Sequence, residues 1–590
     1  MTYLDRVNSP ADVKKMTAEE LKGLAADIRE GILKRDSLIG GHVGPNLGFV
    51  EATLALHYVF NSPEDKIVYD VSHQCYAHKM ITGRKNGFLN PDDYAKISGY
   101  TNPHESEHDH FVIGHTSTSV SLASGLAKAR DLKGEKYNVI AVIGDGSLSG
   151  GEALEGLDFA GSELGTNFIV VVNDNQMSIA ENHGGLYNNL KQLRESNGKA
   201  ETNLFKALGY DYLYVADGND IEALIAAFRQ VKDSTKPVVV HLNTLKGKGY
   251  KPAEEHKEPW HWSVPFDVKS GEKTADFGGG ENYNDLTYDF LLNKIRESDA
   301  GKGGKVAVLT AGTPGVFGFT PERRAELGSH YIDVGIAEEH AVAMASALAK
   351  GGCRPVFCVY SSFIQRTYDQ LSQDLAINSN PAVILVFGAG LSPMDATHLG
   401  CFDMAMAANI PNIVYLTPAT KEEYLAMLEW GMTQTERPVI IRMPGEVVSD
   451  GAAMKAEAAE VKRLNVVEKG EGVAILAVGD FLELGRQAAK LKEKGIHATV
   501  AAVRCVSEPD EAALAELAKT HKVAVTLEDG VLDGGFGEKV ARYYGATALK
   551  VLAYGGRKEF TDREPLDEIY RKNRLEPEMI AEDVLKLLEA

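Results

Sequence analysis

The chain has 590 residues and a formal net charge of -21 at pH 7, too long for one hydrophobic core and too acidic to offer nucleic acid a surface of clustered Lys and Arg. With 44% hydrophobic and 25% charged residues, the composition is that of an ordinary globular protein. Five scattered cysteines without a CxxC pair, an N-terminus (MTYLDRVNSP) without a signal pattern and no apolar run of spanning length predict a cytoplasmic protein that engages neither membrane nor nucleic acid.

In chain order, Thr17 to Leu33 reads as an amphipathic helix, opened by a Thr17/Glu20 capping box with Leu21, Leu24, Ile28 and Ile32 on one face. The stretch GGHVGPNLGFVEATLALHYVF follows, a glycine loop leading into a helix, with His42 inside it as either a core or a site residue. A strand over Ile67–Val71 ends in SHQCYAHK, where His73, Tyr76 and His78 cluster. No further closely spaced His/Cys pair completes a zinc set, so phosphate or cofactor contact is the better reading. The charged run Glu105–His110 reads as a solvated face. Gly114, His115, Thr116 and Ser117 then precede a small-residue helix, a loop-to-helix arrangement suited to an anion.

The most informative stretch is Val139–Ile179: a strand (Val139–Ile143), a Gly144-Asp145-Gly146 break, a helix (Glu152–Ala160), and a second strand (Phe168–Val172) ending in Asn173-Asp174-Asn175. Two parallel strands side by side place Asp145 and Asn175 at one crevice, where open α/β sheets bind ligands. Glycines admit a diphosphate, and one carboxylate with one amide oxygen suits Mg²⁺ shared with phosphate oxygens. Glu181–Glu201 is rich in Asn, Gly and Lys and predicts a mobile segment. The strand Val238–Leu242 leads to Lys246-Gly247-Lys248-Gly249-Tyr250, lysines on a glycine loop suited to phosphate or ring contacts, and Lys257–Gly280 reads as a linker.

A second α/β pattern has strands Val306–Leu309, Tyr331–Val334, Val356–Tyr360, Ala382–Phe387 and Val439–Ile441; a third has Val473–Val478, Thr499–Val503 and Val523–Leu527. Glu338 begins the helix after Tyr331–Val334, where the dipole favours a carboxylate. The fold class is α/β, with three doubly wound domains.

The Asp145/Asn175 pattern resembles the diphosphate motif of transketolase-like thiamine-diphosphate enzymes. The further pieces GGHVGPNLGFVE, DKIVYDVSHQCYAHKMITGR, GHTSTSVS, KGKGYKPAE, DVGIAEEHAV, YSSFIQRTYDQ, THLGCFD and GGFG are similar to the 1-deoxy-D-xylulose-5-phosphate synthases over nearly the whole chain. The resemblance implies a transketolase-like thiamine-diphosphate-binding fold with a diphosphate-binding domain (1–280), a pyrimidine-binding domain (281–460) and a mainly structural C-terminal domain (461–590), in a homodimer. It implies Mg²⁺ on Asp145, Asn175 and the Met177 carbonyl. Cofactor contacts would come from His73, Gly114, His115, Thr116, Ser117, Gly146, Ser147, Asn175 and Tyr250, with Glu338 on the aminopyrimidine. His42, His115 and His398 join Glu338 as catalytic candidates, and Tyr360, Arg366, Asp395, His398 and Arg442 would face substrate. The implied reaction condenses pyruvate with D-glyceraldehyde 3-phosphate, releases carbon dioxide and forms 1-deoxy-D-xylulose 5-phosphate, a precursor for isoprenoids, thiamine and pyridoxal.

Two departures bear on the acceptor. Phe387-Gly388-Ala389-Gly390 stands where the family has a DRAG-type stretch, so Gly388 replaces an arginine expected at the acceptor phosphate. Arg442-Met443-Pro444-Gly445 keeps the first arginine of an RYPRG-like run and lacks the second. They leave open a transketolase-type relative with another donor or acceptor. A catalytically silent homologue is disfavoured, because Asp145, Asn175, Glu338, His42 and His115 are all retained.

Overall fold

In the computed structural model, which describes residues 2–274, 280–489 and 496–589, the chain divides into two units, Met1–Gly279 with Gly335–Ala337, and Gly280–Val334 with Glu338–Ala590. The first unit is built on β1 (Lys66–Tyr69), β2 (Val139–Gly144), β3 (Phe168–Asp174), β4 (Asp211–Val215) and β5 (Pro237–Asn243), all parallel, in the order β1-β2-β3-β5-β4. Successive side chains of a strand point to opposite faces. Ile140, Val142, Ile169 and Val171 therefore pack on Leu21, Leu24, Ile28 and Ile32 of the helix Ala18–Ile39. Ala141, Ile143, Val170 and Val172 pack on the other face, against Val120, Ala123 and Ala127 of the helix Ser119–Lys133 and Ala153, Leu157 and Ala160 of the helix Gly151–Glu163. Cover on both faces is why these strands read as unbroken apolar runs.

The Thr17 capping box is present: the Glu20 amide donates to Thr17 Oγ1 at 3.3 Å and the Thr17 amide to Glu20 Oε2 at 2.9 Å. The helix runs six residues beyond Leu33, because Arg35 and Asp36 are themselves buried and paired. β1 stops two residues before Val71, since Val71 and Ser72 adopt φ of +56° and +63°, outside any strand conformation. Glu181–Glu201, expected to be mobile, contains the helix Gly185–Glu195.

The second unit carries two sheets. One has β6 (Val306–Thr310), β7 (Tyr331–Asp333), β8 (Arg354–Tyr360), β9 (Val383–Phe387), β10 (Val414–Leu416) and β11 (Val439–Arg442), all parallel in the order β10-β11-β9-β8-β6-β7. The other has β12 (Asn465–Glu468), β13 (Gly472–Val478), β14 (Thr499–Val503), β15 (His521–Val531) and β16 (Lys550–Gly556) in the order β12-β14-β13-β15-β16, with β12 an antiparallel edge. Leu309, Ile384 and Ile440 of the first share a core with Leu476 and Val503 of the second. The fold is α/β with three mostly parallel sheets. The strands that the sequence pattern misses are a partly exposed, aromatic-rich edge (β4), a three-residue strand (β10) and two strands at the borders of the last sheet (β12, β16).

The helix Gly151–Glu163, which fixes the chain after Gly144-Asp145-Gly146, needs glycine at 161: a Cβ there would lie 2.2 Å from the Leu208 carbonyl oxygen. Gly161→Ala is expected to lower stability by about 1–3 kcal/mol through overpacking, read as a lower denaturant midpoint with an unchanged slope.

Candidate active site

In the first unit the chemistry gathers at the carboxyl edge of the sheet. Gly144 pairs in register with Asn173, so Asp145 and Asn175 leave adjacent strands side by side. Asp145 is buried; desolvation, reinforced by the neighbouring Asp174 charge, pushes its carboxyl pKa up, while Asn182 donates to Oδ2 at 2.8 Å. Asn175 Oδ1 accepts from the Met177 amide at 3.2 Å across Gln176, which sits at φ +66°. The turn thus sets the amide oxygen and the Met177 backbone together. Asp174 is held by His241 at 2.9 Å and Arg194 at 2.5 Å. Asn182, Arg194 and Tyr187, whose hydroxyl donates to the Gly146 carbonyl at 3.2 Å, explain why their segment is folded onto this edge.

Gly146 is a glycine for space: a Cβ would meet Ser178 at 2.8–2.9 Å. Ser147 is joined to the Gly114–Ser117 loop, since Ser117 Oγ donates to its carbonyl at 2.9 Å. That loop departs from the simple helix-terminus expectation. Buried Asp70, at the end of β1, accepts from the Ser117 and Ser119 amides, both at 2.9 Å. A resident carboxylate therefore occupies those two donors and sculpts the loop, and an external anion must use other groups.

Next to this edge stands a cluster of imidazoles. His42, the residue before the helix Val43–Gly48, lies edge-on to His73 (ring centroids 5.3 Å) and His261 (5.6 Å), while His73 stacks on His261 at 5.2 Å. Burial holds His73 and His261 well below the ordinary imidazole pKa, so both are neutral. Lys246 Nζ donates to the Ser178 carbonyl at 2.6 Å and lies 3.1 Å from His261 Nδ1; burial lowers this ammonium to about 7. Tyr250 packs on Trp260 at 5.0 Å, and its buried hydroxyl has no hydrogen-bond partner among the described residues. Arg29 ties the helix Val43–Gly48 to the lysine-glycine loop before Tyr250, pairing with Glu51 at 2.6 Å and donating to the Leu47 and Lys248 carbonyls, both at 3.0 Å.

Three expectations change here. Lys257–Gly280 is no mere linker: Trp260 and Phe266 are core residues, Gly41 bridges Ser263, and His261 enters the imidazole cluster; residues 275–279 lie outside the described residues. His78 parts from His73, bonding Asp109 at 2.7 Å and His57 at 2.8 Å. Glu105–His110 is not a solvated face, because Asp109 is buried against Arg84 and Glu105 pairs with Lys79 at 2.5 Å.

In the second unit, Glu338 opens the helix Glu338–Lys350. It is buried, which pushes its pKa up to about 7 despite Arg366 at 4.0 Å. Its Oε2 has no hydrogen-bond partner among the described residues. Tyr360 ends β8 with its ring 5.5 Å from Phe363, which meets His398 edge-on at 5.9 Å. His398 Nδ1 lies 3.3 Å from Asp395; burial opposes ionisation there, yet His398 and Thr397 hold the carboxyl down to about 2. Gly388 has φ +62°, and a Cβ would lie 2.1 Å from the Tyr360 ring, so Tyr360 fills the space that an arginine at 388 would need. Arg442, expected at the substrate, is buried with its guanidinium engaged by Asp403 at 2.9 Å and by Asp529. Two carboxylates therefore match its charge inside the protein.

A family model described as 1-deoxy-D-xylulose-5-phosphate synthase matches residues 4–202 and 196–244. The transketolase pyrimidine binding domain matches 291–449, and the transketolase C-terminal domain 462–559. The 1-deoxy-D-xylulose-5-phosphate synthase of Symbiobacterium thermophilum is 38% identical over 99% of this chain and 95% of its own. The chain belongs to the 1-deoxy-D-xylulose-5-phosphate synthase family. The synthase of Caldanaerobacter subterraneus subsp. tengcongensis is 37% identical over 99% of both chains. Among solved structures, transketolase from Leishmania mexicana is 16% identical over 97% of this chain and 98% of its own, with a TM-score of 0.42.

This synthase family is a thiamine-diphosphate-dependent, transketolase-like group of transferases, and the donors found here suit that cofactor. Each unit offers buried polar atoms without a hydrogen-bond partner among the described residues, His73 Nδ1 and Ser178 Oγ in one and Glu338 Oε2 in the other. His261 was missed in the sequence because it lies in a stretch without periodicity; its only signal was the aromatic-flanked Trp260-His261-Trp262. A carboxyl that is neutral more easily when folded than when unfolded costs stability as pH rises from its unfolded value of 4.5 through about 7. Glu338→Gln is therefore expected to be more stable than the parent, by a margin that grows across that window, in thermal melts at stepped pH.

Proposed function

We propose that this chain condenses pyruvate with D-glyceraldehyde 3-phosphate, releasing carbon dioxide and forming 1-deoxy-D-xylulose 5-phosphate, as a cytoplasmic homodimer using thiamine diphosphate and Mg²⁺. The observation that carries the reading is the near full-length similarity to synthases of that name, with the acid, amide and imidazole candidates in place. Supporting the compartment, the cysteines are free, and no helix among the described residues is long and apolar enough to cross a membrane. The three-domain division at 280 and 460 fits one sheet in the first unit and two in the second.

Asp145, Asn175 and the Met177 carbonyl would hold Mg²⁺ together with diphosphate oxygens. Bound thiamine diphosphate supplies the carbanion chemistry. Glu338, with a carboxyl poised near neutrality and one oxygen without a hydrogen-bond partner among the described residues, suits exchange of a proton with the aminopyrimidine. Neutral His73 and His261, kept so by burial, pack against His42, and His42 and His115 would move protons at the reacting carbon. The Asp395 charge holds His398 for the same work on the substrate side, while Tyr360 and Arg366 bind substrate oxygens. Lys246, buried and titrating near neutrality, stabilises negative charge beside the imidazoles.

A transketolase-type reaction with another donor or acceptor is the second reading, favoured by the closed space at Gly388, where the family's acceptor-phosphate arginine is expected. Carbon dioxide release from pyruvate, with cofactor and Mg²⁺, separates the two. Release that rises when the aldehyde phosphate is added is expected; none with or without it sinks the synthase reading. Glu338→Ala is expected to abolish turnover while leaving the oligomer intact by light scattering. Asp145→Ala is expected to raise the Mg²⁺ concentration needed for half-maximal cofactor binding, followed by quenching of intrinsic fluorescence.

A further inference from the structure

Three side-chain contacts fasten the segment after Ser178 to the edge that carries Asp145 and Asn175, and each falls on a different residue of that edge. Asn182 Nδ2 donates to Asp145 Oδ2 at 2.8 Å, the Tyr187 hydroxyl to the Gly146 carbonyl at 3.2 Å, and Arg194 to Asp174 at 2.5 Å. Tyr187 and Arg194 both lie on the helix Gly185–Glu195, two turns apart and therefore on one face. Leu190 and Leu193 of the same helix are buried in the core with Leu157, Val170 and Val172. The helix is thus seated by apolar packing and by two polar contacts to residues outside the proposed metal set. Asn182, just ahead of the helix, is different, because its contact is with a proposed metal ligand itself.

The chemistry of that contact suits a metal. An amide is a neutral donor, so it can hold a carboxylate without opposing a dication as a Lys or Arg would. It takes one carboxylate oxygen and leaves the other. The Asn182 Oδ1, on the same amide group, is buried without a hydrogen-bond partner among the described residues. An acceptor there suits one of the waters that Mg²⁺ usually keeps. Resting on the reading of Asp145 as a Mg²⁺ ligand for thiamine diphosphate, we infer that Asn182 is a positioning residue for the metal: it fixes the Asp145 carboxylate by one oxygen, and through it the seating of the helix Gly185–Glu195 and the filling of the metal site favour each other. Such coupling is reciprocal. Metal and cofactor tighten the helix, and loosening the helix at Asn182 weakens the metal.

The test titrates Mg²⁺ into the full-length protein at fixed thiamine diphosphate, followed by quenching of intrinsic fluorescence. In Asn182→Ala the Mg²⁺ midpoint is expected to rise roughly tenfold or more, the usual effect of losing a partner that orients a metal ligand. Asn182→Gln, which keeps the amide donor, is expected to recover part of that shift. Thermal melts without Mg²⁺ and cofactor should be alike in all three proteins, which separates positioning from a merely structural role. In hydrogen exchange, amides of the helix Gly185–Glu195 should gain protection in the parent when Mg²⁺ and thiamine diphosphate are added, and gain less in Asn182→Ala at saturation. A midpoint in Asn182→Ala equal to or below that of the parent, equal shifts in both variants, or helix protection that ignores Mg²⁺ would overturn the inference while the cofactor reading stands. If the parent shows no Mg²⁺-dependent quenching, the cofactor reading falls and takes this inference with it.

Discussion

Parallel pairing is the constraint from which the rest of this molecule follows. A parallel sheet requires a crossover between strands, and the crossovers here cover both faces with helices. The strands must then be apolar throughout, and every polar group that does chemistry is driven to the loops at one edge. Gly144 and Asn173 in register are the clearest case: once β2 and β3 pair, Asp145 and Asn175 can only emerge together. In the second unit the same rule brings Tyr360 and Gly388 from the ends of β8 and β9 into contact.

The loops at that edge are held by charges inside the protein as well as by glycine. Asp70 takes two amides of the Ser117–Ser119 turn, and Arg29 with Glu51 joins the helix Val43–Gly48 to the loop before Tyr250. Such pairs contribute little net stability once desolvation is counted. Their value is positional: a short glycine-rich helix and a glycine loop are pinned to each other, and His42 and Lys246, beside them, are fixed with them.

The groups so placed are desolvated, and desolvation gives them their chemical character. Neutral imidazoles at His73 and His261, a lysine and a glutamic acid both near neutrality at Lys246 and Glu338, all follow from removing water from groups that would ionise freely at the surface. The second unit shows the opposite case. Arg442 lies at the end of a core strand with Asp403 and Asp529 around it, so its charge is matched inside the protein.

The sequence by itself determined most of the scaffold and the family. Strand-length apolar runs, a capping box, glycine breaks and the Asp145 to Asn175 spacing are local patterns, and hydrophobic burial reads locally. It also carried the candidates Glu338, His42, His73 and His398 through recognisable motifs. Only the tertiary structure decided which polar side chains meet. His261 joins His42 from more than two hundred residues away, Asp109 withdraws His78 from the cluster that its spacing suggested, and Arg442 finds Asp403 and Asp529 as its partners. The physical reason is that a polar group's role is set by its partners and its burial. Both depend on contacts between distant segments, to which the periodicity of a single stretch is blind.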